Sequence, residues 1–496
     1  MMETRDDFCP GAPEHSATVD VLLSAVHLSD LHVCDAQSPA RLELLDRFGD
    51  PDDPAYDAVG HVGSHRPQEI LTTQVATAMV QAVNAIAAGP ATGAAPSIAL
   101  STGDNVDNAQ LNELQWYLAV LDGGEVAPDS GDRDRFEGVA GSGDPHYWQP
   151  ETGGCRPTSL FGLPTVPGLL SAARRPFRSP GLTVPWLTTH GNHDRLVQGT
   201  LALPDGLGAF ATGPLKPVGF PSDWTAGERV AFALALGDRR RTTGGTGSPP
   251  LGDLRRLRSV QVTPDLSRRF VSRREFIEMH GDGHGFTAGN RESGNAYYAH
   301  PLDGADEIVF LVLDTVNPHG YWQGSIDHEQ FDWLRAELTA ADDAGRYAVV
   351  ASHHPASALT NDRTSDERRV LGPEVLAELT AHPSAVLWLS GHTHRHAVQA
   401  HRGRFPLWEA TAASLIDAPQ QARTVEVSRR ADGLLAIDVR AVDHLGEAPW
   451  GGGTGDVLSL AGLSREIADL DWQESEPRPS DGEVNATLLL PDPFAG

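Results

Sequence analysis

Five short apolar runs in this chain each end in side chains of metal-ligand type. The runs are Val21–Leu28, Ser97–Thr102, Leu182–Thr188, Tyr347–Ser352 and Ala385–Leu389. They are followed by Asp30 with His32, Asp104, Asn192 with His193, His353, and His392 with His394. Runs of this length bounded by turn residues read as buried strands. Helical spacing of apolar residues lies between them, at Pro67–Ala88, 108–121, 326–341 and Pro373–Ala381. Alternating strands and helices predict an α/β fold with a mostly parallel sheet, whose ligands collect at the carboxyl ends of the strands. Each motif alone is weak: Gly191-Asn192 and His193-Asp194 are also ordinary turn formers. Recurrence at equivalent strand ends predicts one shared polar site.

Asp30 and His32 are expected to point the same way if the strand continues, because side chains alternate along it. Mixed imidazole and carboxylate donors suit borderline divalent metals such as manganese, iron, cobalt or zinc. Seven such side chains sharing one carboxylate give four ligands to each of two ions. Two ions about 3.5 to 4 Å apart clamp a phosphoryl group, with a bridging hydroxide as nucleophile.

The ordered set Asp-x-His, Gly-Asp-x-x-Asp, Gly-Asn-His-Asp, His-x-Pro and Gly-His-x-His, spanning Asp30 to His394, resembles the calcineurin-like metallophosphoesterase superfamily. The resemblance implies a four-layer sandwich of two mixed β-sheets flanked by helices, with large loop insertions. It assigns Asp30, His32, Asp104 and His394 to one metal, and Asp104, Asn192, His353 and His392 to the other. The His before x-Pro is the family ligand, which selects His353 over His354. His193 resembles the non-ligand histidine that protonates the leaving oxygen, and Asp107 the carboxylate that orients it. A neighbouring carboxylate favours the imidazolium that a general acid needs. Asn105 and Arg395 are candidate substrate contacts. Asp194 is given no chemistry and is expected to buttress the turn. Cys34 is expected to be an inert packed thiol.

Val312-Leu313-Asp314-Thr315, Gly324 and Gln330–Leu334 are similar to class III cyclic-nucleotide phosphodiesterases and purple acid phosphatases. Asn105, Val106, Asp107 and Asn108 stand where the iron-binding tyrosine of the latter would fall, which points to manganese, ferrous iron or zinc. Tyr147-Trp148, Gly162–Pro164, Val166–Leu170 and Pro185-Trp186 resemble an uncharacterised bacterial metallophosphoesterase subfamily whose members often carry a twin-arginine export signal. The resemblance implies hydrolysis of a small phosphomonoester or phosphodiester. A cyclic-nucleotide phosphodiesterase is the enzymatic alternative, and a metal-bound non-catalytic scaffold the alternative of another class.

The domain organisation predicted is a loose arm over 1–19, a catalytic domain over 20–443 with insertions at about 122–180 and 195–294, and an extension over 444–496. The aromatics Tyr147, Trp148, Phe161 and Phe177 predict that the first insertion is ordered and packed over the strand ends. The Arg-rich stretch Arg255–Arg274 reads as a solvated helix face, after a Gly-rich break at Thr242–Gly252. Leu407–Ala412, Arg423–Val427 and Leu434–Val442 read as a closing meander.

A net charge of −29 argues against a nucleic-acid partner, since polyanions bind through lysine and arginine. Cys9, Cys34 and Cys155 give no disulfide framework. No stretch reaches the roughly 18 to 20 apolar residues of a membrane span. Met1–Ser16 lacks the basic start and apolar run of a secretory signal, so the expectation is a cytoplasmic protein, or an exported one whose leader is missing.

Overall fold

The computed structural model describes residues 3–59, 63, 65–202, 207–237, 254–302, 304–364, 367–473 and 477–495. The Gly-rich break Thr242–Gly252 lies outside the described residues. The main strands, in chain order, are β1 (Glu3–Arg5), β2 (Thr18–Leu28), β3 (Ile98–Ser101), β4 (Trp186–Thr188), β5 (Tyr298–Leu302), β6 (Ala305–Val312) and β7 (Tyr347–Ala351). They continue with β8 (Ala385–Ser390), β9 (Ala397–His401), β10 (Leu407–Thr411), β11 (Gln421–Arg430), β12 (Leu434–Asp443) and β13 (Ala486–Pro491). Seven form one sheet, ordered β1-β13-β12-β11-β2-β3-β4, and six form a second, ordered β9-β10-β8-β7-β6-β5. Both are mixed: β2, β3 and β4 run parallel, as do β6, β7, β8 and β10, while β11, β12, β5 and β9 pair antiparallel.

Period-two patterning explains the layering. Along β6, Ile308, Phe310 and Val312 face the core between the sheets, while Val309 and Leu311 face an outer core with Leu334, Leu338, Val375 and Leu379. The strand is apolar on both faces because both faces are covered. The outer helices there are His328–Ala344 and Gly372–Leu379. Thr72–Asn84 packs on the first sheet through Val75, Met79 and Val83, beside Val457–Asp469. The architecture is thus two sheets flanked by helices, as the resemblance implied, rather than one mostly parallel sheet.

Three local expectations change. The arm over 1–19 is not loose: β1 pairs parallel with β13, and Phe8 packs edge-on against Trp408 at 5.0 Å. The tail over 444–496 supplies β13, which pairs with both β1 and β12, so it completes the first sheet. The closing meander is split, with β10 in the second sheet and β11 and β12 in the first.

Both insertions are ordered where described. The first packs Trp148, Leu163 and Leu169 with Leu460 and Leu463 of the C-terminal helix. The second contains the helix Ala226–Gly237, and its Trp224 and Phe232 cluster with Leu42, Leu44 and Phe48. The Arg-rich stretch is not one solvated helix face: it passes through a strand, a 3-10 turn and a helix, and Arg268 is buried against Asp35 and Ser130.

Candidate metal centre

The carboxyl ends of β2, β3 and β4 in one sheet and of β7 and β8 in the other bring the predicted residues together. Strand alternation is not what aims them. β2 stops at Leu28, and Asp30 and His32 both take left-handed backbone conformations, φ 49° and 45°. Asp104, His392 and His394 do the same, at 47°, 69° and 58°. Such conformations cost a side-chain-bearing residue about 1 kcal/mol or more, and they concentrate at functional sites. The turns hold one another: Asp30 and His32 donate their amides to the carbonyls of Gly103 and Asp104 at 3.1 and 2.9 Å, and the His392 amide donates to Asp30 Oδ2 at 2.9 Å.

Gly191 permits a close approach between these turns. A Cβ there would collide with the backbone nitrogen and carboxylate of Asp104.

Four donor groups lie within 4.8 Å among the described residues: Asp30 with His32 and His394, Asp30 with Asp104 and His353, His32 with Asp104 and His193, and His353 with His354 and His392. Asp104 stands between the halves. Its Oδ2 is 3.7 Å from His32 Nε2 and 3.2 Å from His353 Nε2, while its Oδ1 accepts the His193 amide at 2.8 Å.

Hydrogen bonding fixes which ring nitrogens are bare. His353 Nδ1 lies 2.9 Å from the Thr102 carbonyl, which only accepts, so Nδ1 carries the hydrogen. In the neutral ring Nε2 then presents a lone pair to two acceptors, Asp104 Oδ2 and Asn192 Oδ1 at 2.9 Å, and lies 3.1 Å from His392 Nδ1. His32 and His394 repeat the pattern, with Nδ1 on Asp107 at 2.9 Å and on Asp417 at 2.5 Å, and their Nε2 atoms 3.2 Å apart. Buried lone pairs facing each other need a positive charge between them. A proton or a metal ion meets that need, and the mixed nitrogen and oxygen donors fit a divalent cation. In the metal-free protein protons meet that need: burial works to lower His353 and His394, but Asp104 raises the first to about 9, and Asp30 with Asp417 raises the second to about 10.

His354 does not share this geometry. Its Nδ1 is 2.7 Å from Thr315 Oγ1 and its Nε2 2.9 Å from the Trp322 carbonyl, so both nitrogens are committed although it neighbours His353 and His392. This favours His353 as the ligand.

His193 sits beside His32, ring centroids 4.5 Å apart. Its Nδ1 donates to the backbone carbonyl of Asp107 at 2.7 Å, and the Asp107 carboxylate is 3.9 Å away. The nearer partner of His193 is thus the Asp107 carbonyl, while the Asp107 carboxylate, expected to orient His193, lies closer to His32. Burial pushes His193 down to about 4, against the pull of Asp104.

Of the two proposed substrate contacts, Asn105 is turned into the protein. Asn105 is fully buried; its Oδ1 accepts from Ser101, and its Nδ2 donates to Asp194, the Thr189 carbonyl and Thr188. Half-buried Arg395 lies in electrostatic reach of Glu483, in the C-terminal segment. Asp194 buttresses as expected: it accepts from the amides of Gly191, Asn105 and Val106 at 2.7, 3.0 and 3.1 Å, tying two ligand turns together.

Sequence reasoning missed the outer partners. Arg41 pairs with Asp107 and Glu69, and Arg66 grips Asp417 through both its Nε and a terminal nitrogen. Gly199, at φ 60°, accepts at its carbonyl the Asn192 Nδ2 hydrogen at 3.0 Å, which turns the amide oxygen toward His353. A Cβ on Gly199 would run into the His193 ring. Only Asp417 had a usable signal, standing shortly after a further strand end, that of β10.

Residues 167–396 match the calcineurin-like phosphoesterase family. A manganese-dependent ADP-ribose/CDP-alcohol diphosphatase of Xenopus tropicalis is 27% identical over 124 residues, 24% of this chain. The chain spans 31% of that relative's length. A dimetal phosphatase from Danio rerio aligns with 86% of this chain and 100% of its own at 11% identity, with a TM-score of 0.38. The matched segment, a little under half of the chain, carries the Asn192–His193 turn, His353 and the His392–His394 turn; Asp30, His32 and Asp104, which complete the clustered donors, lie before it.

Proposed function

We propose that the chain is a two-metal phosphoesterase that hydrolyses a phosphomonoester or phosphodiester. Asp30, His32, Asp104 and His394 would hold one divalent cation, and Asp104, Asn192, His353 and His392 the other. The observation that carries this reading is the position of Asp104 Oδ2 between His32 Nε2 and His353 Nε2, at 3.7 and 3.2 Å, with bare imidazole nitrogens converging from both sides. Two divalent cations bound there supply Lewis-acid polarisation of the phosphoryl oxygens and a water of lowered pKa.

The chain's own residues do the rest. Gly199 and the His353 ring fix Asn192, so that a neutral oxygen faces the centre without adding charge. His193 holds its Nδ1 proton on the Asp107 carbonyl, which leaves Nε2 as the atom that carries a proton to the leaving oxygen. Burial disfavours that proton in the free protein, and an incoming phosphate anion favours it. Manganese is the first metal to load, given the Xenopus relative's name; iron and zinc remain in the proposed set.

The test is turnover of a panel of monoesters, linear diesters and cyclic nucleotides by the manganese-reconstituted protein, with a chelator control. The reading expects chelator-sensitive hydrolysis of at least one linear ester. Preference for the cyclic substrates would select a cyclic-nucleotide phosphodiesterase. Hydrolysis that ignores the chelator would overturn the mechanism, and no turnover with metals loaded would select a non-catalytic scaffold.

A further inference from the structure

We propose that Trp322 sets substrate preference by stacking on a flat ring carried by an organic substituent of the phosphoester. This rests on the phosphoesterase reading above.

Trp322 is the one aromatic among the exposed large hydrophobic side chains of the described residues, at 38%. It does not stand on a random surface. Its ring stacks on that of His392, centroids 5.5 Å apart and planes 25° from parallel. An indole left partly in water at the rim of a polar centre forgoes burial that the fold achieves for almost every other large apolar side chain.

The segment that carries it is pinned. The Trp322 carbonyl accepts from His354 Nε2 at 2.9 Å. Asn361 Nδ2 donates to the carbonyls of Gly320 and Gln323 at 2.9 and 2.8 Å, and the Tyr321 amide donates to the Thr200 carbonyl at 2.6 Å. The ring is thus held in place before any ligand arrives, which lowers the entropic cost of using it as a platform. Flat rings stack on such surfaces without sequence or side-group specificity.

Placement brings a substrate to it. Trp322 lies against the ring of His392, one of the proposed ligands, so a phosphoester held at the centre carries its organic substituent past the indole.

AMP and ribose 5-phosphate separate the ring from the phosphate. Both present a phosphate to the centre, and only AMP carries a flat base. Calorimetric titration of the manganese-loaded protein is expected to give AMP an affinity about tenfold above that of ribose 5-phosphate. Trp322→Leu is expected to remove most of that ratio and Trp322→Phe to keep most of it, with manganese content measured on the same samples. Equal affinities in the unmodified protein, a ratio that survives Trp322→Leu, or binding of neither probe would each overturn the proposal. Turnover of bis(p-nitrophenyl) phosphate by the unmodified protein reads the hydrolytic function separately. If it is absent while the AMP preference depends on Trp322, the phosphoesterase reading fails and the ring site stands.

Discussion

His32 and His394 face each other through Nε2 at 3.2 Å, and each gives its Nδ1 to a carboxylate that an arginine holds: Asp107 with Arg41, and Asp417 with Arg66. Two Arg–Asp–His chains thus converge on one of the proposed metal positions. Carboxylates behind imidazole ligands fix the tautomer and raise ligand basicity. Asp417→Asn is expected to weaken manganese binding by about ten- to a hundredfold, read by calorimetric titration of the metal-stripped protein. An unchanged isotherm would remove Asp417 from the centre.

His193→Ala separates chemistry from metal binding. The imidazole is not needed as a ligand in this account, so manganese content should stay at the level of the unmodified protein. Loss of a general acid costs about a hundred- to ten-thousandfold in turnover. Loss of metal together with activity would make His193 a ligand instead.

Asp194 joins two ligand turns through three buried amides and Asn105 Nδ2. Asp194→Ala strands those donors, at about 1–3 kcal/mol for each buried group left unsatisfied. Urea unfolding of the metal-free protein should show a loss of several such units, and Asp194→Asn a smaller one. A midpoint shift near zero would contradict the buttress.

Gly199→Ala should act on catalysis more than on metal content. The added Cβ meets the His193 ring and the Asn192 amide, and its left-handed φ strains any other residue. Turnover is expected to fall by about tenfold or more, with manganese binding weakened less.

His280 makes a pH prediction away from the metals. Burial lowers it from 6.5 to about 3, against a hydrogen bond to the Phe276 carbonyl. The folded ring stays neutral while the unfolded one takes a proton below 6.5, so the unfolded state binds more protons between those values. Its contribution to stability is therefore lost as pH falls from 6.5 toward 3, by about 1.4 kcal/mol per pH unit. His280→Gln should flatten the stability–pH curve by that slope, measured by urea unfolding at pH 7 and pH 5. Parallel curves for the two proteins would contradict it.

What the chain revealed in advance follows from where its information is local. Strands such as β6 and β7 were legible because burial on both faces leaves an uninterrupted apolar run. The ligands were legible because each stands one to five residues past such a run. β9 was missed because an edge strand with Gln399 and His401 has no such run, and β13 because Leu488–Leu490 follow a Pro- and acid-rich stretch. The shortness of β4, only Trp186–Thr188, was hidden by an apolar run that continues into a loop. The outer partners were out of reach: Arg66 and Asp417 lie 351 positions apart, and no spacing rule connects them. The aim of Asp30 and His32 was misjudged for a related reason, since a left-handed turn in a non-glycine residue is imposed by its tertiary surroundings.

The central claim is that Asp104 joins two metal positions into one hydrolytic centre. Manganese titration of the chelator-stripped protein, with bound metal and hydrolysis of bis(p-nitrophenyl) phosphate followed together, tests it most directly. The account predicts two equivalents bound per chain, turnover that rises as the second fills, and loss of both in Asp104→Ala. Full turnover in the stripped protein, or two equivalents still bound by Asp104→Ala, would contradict it.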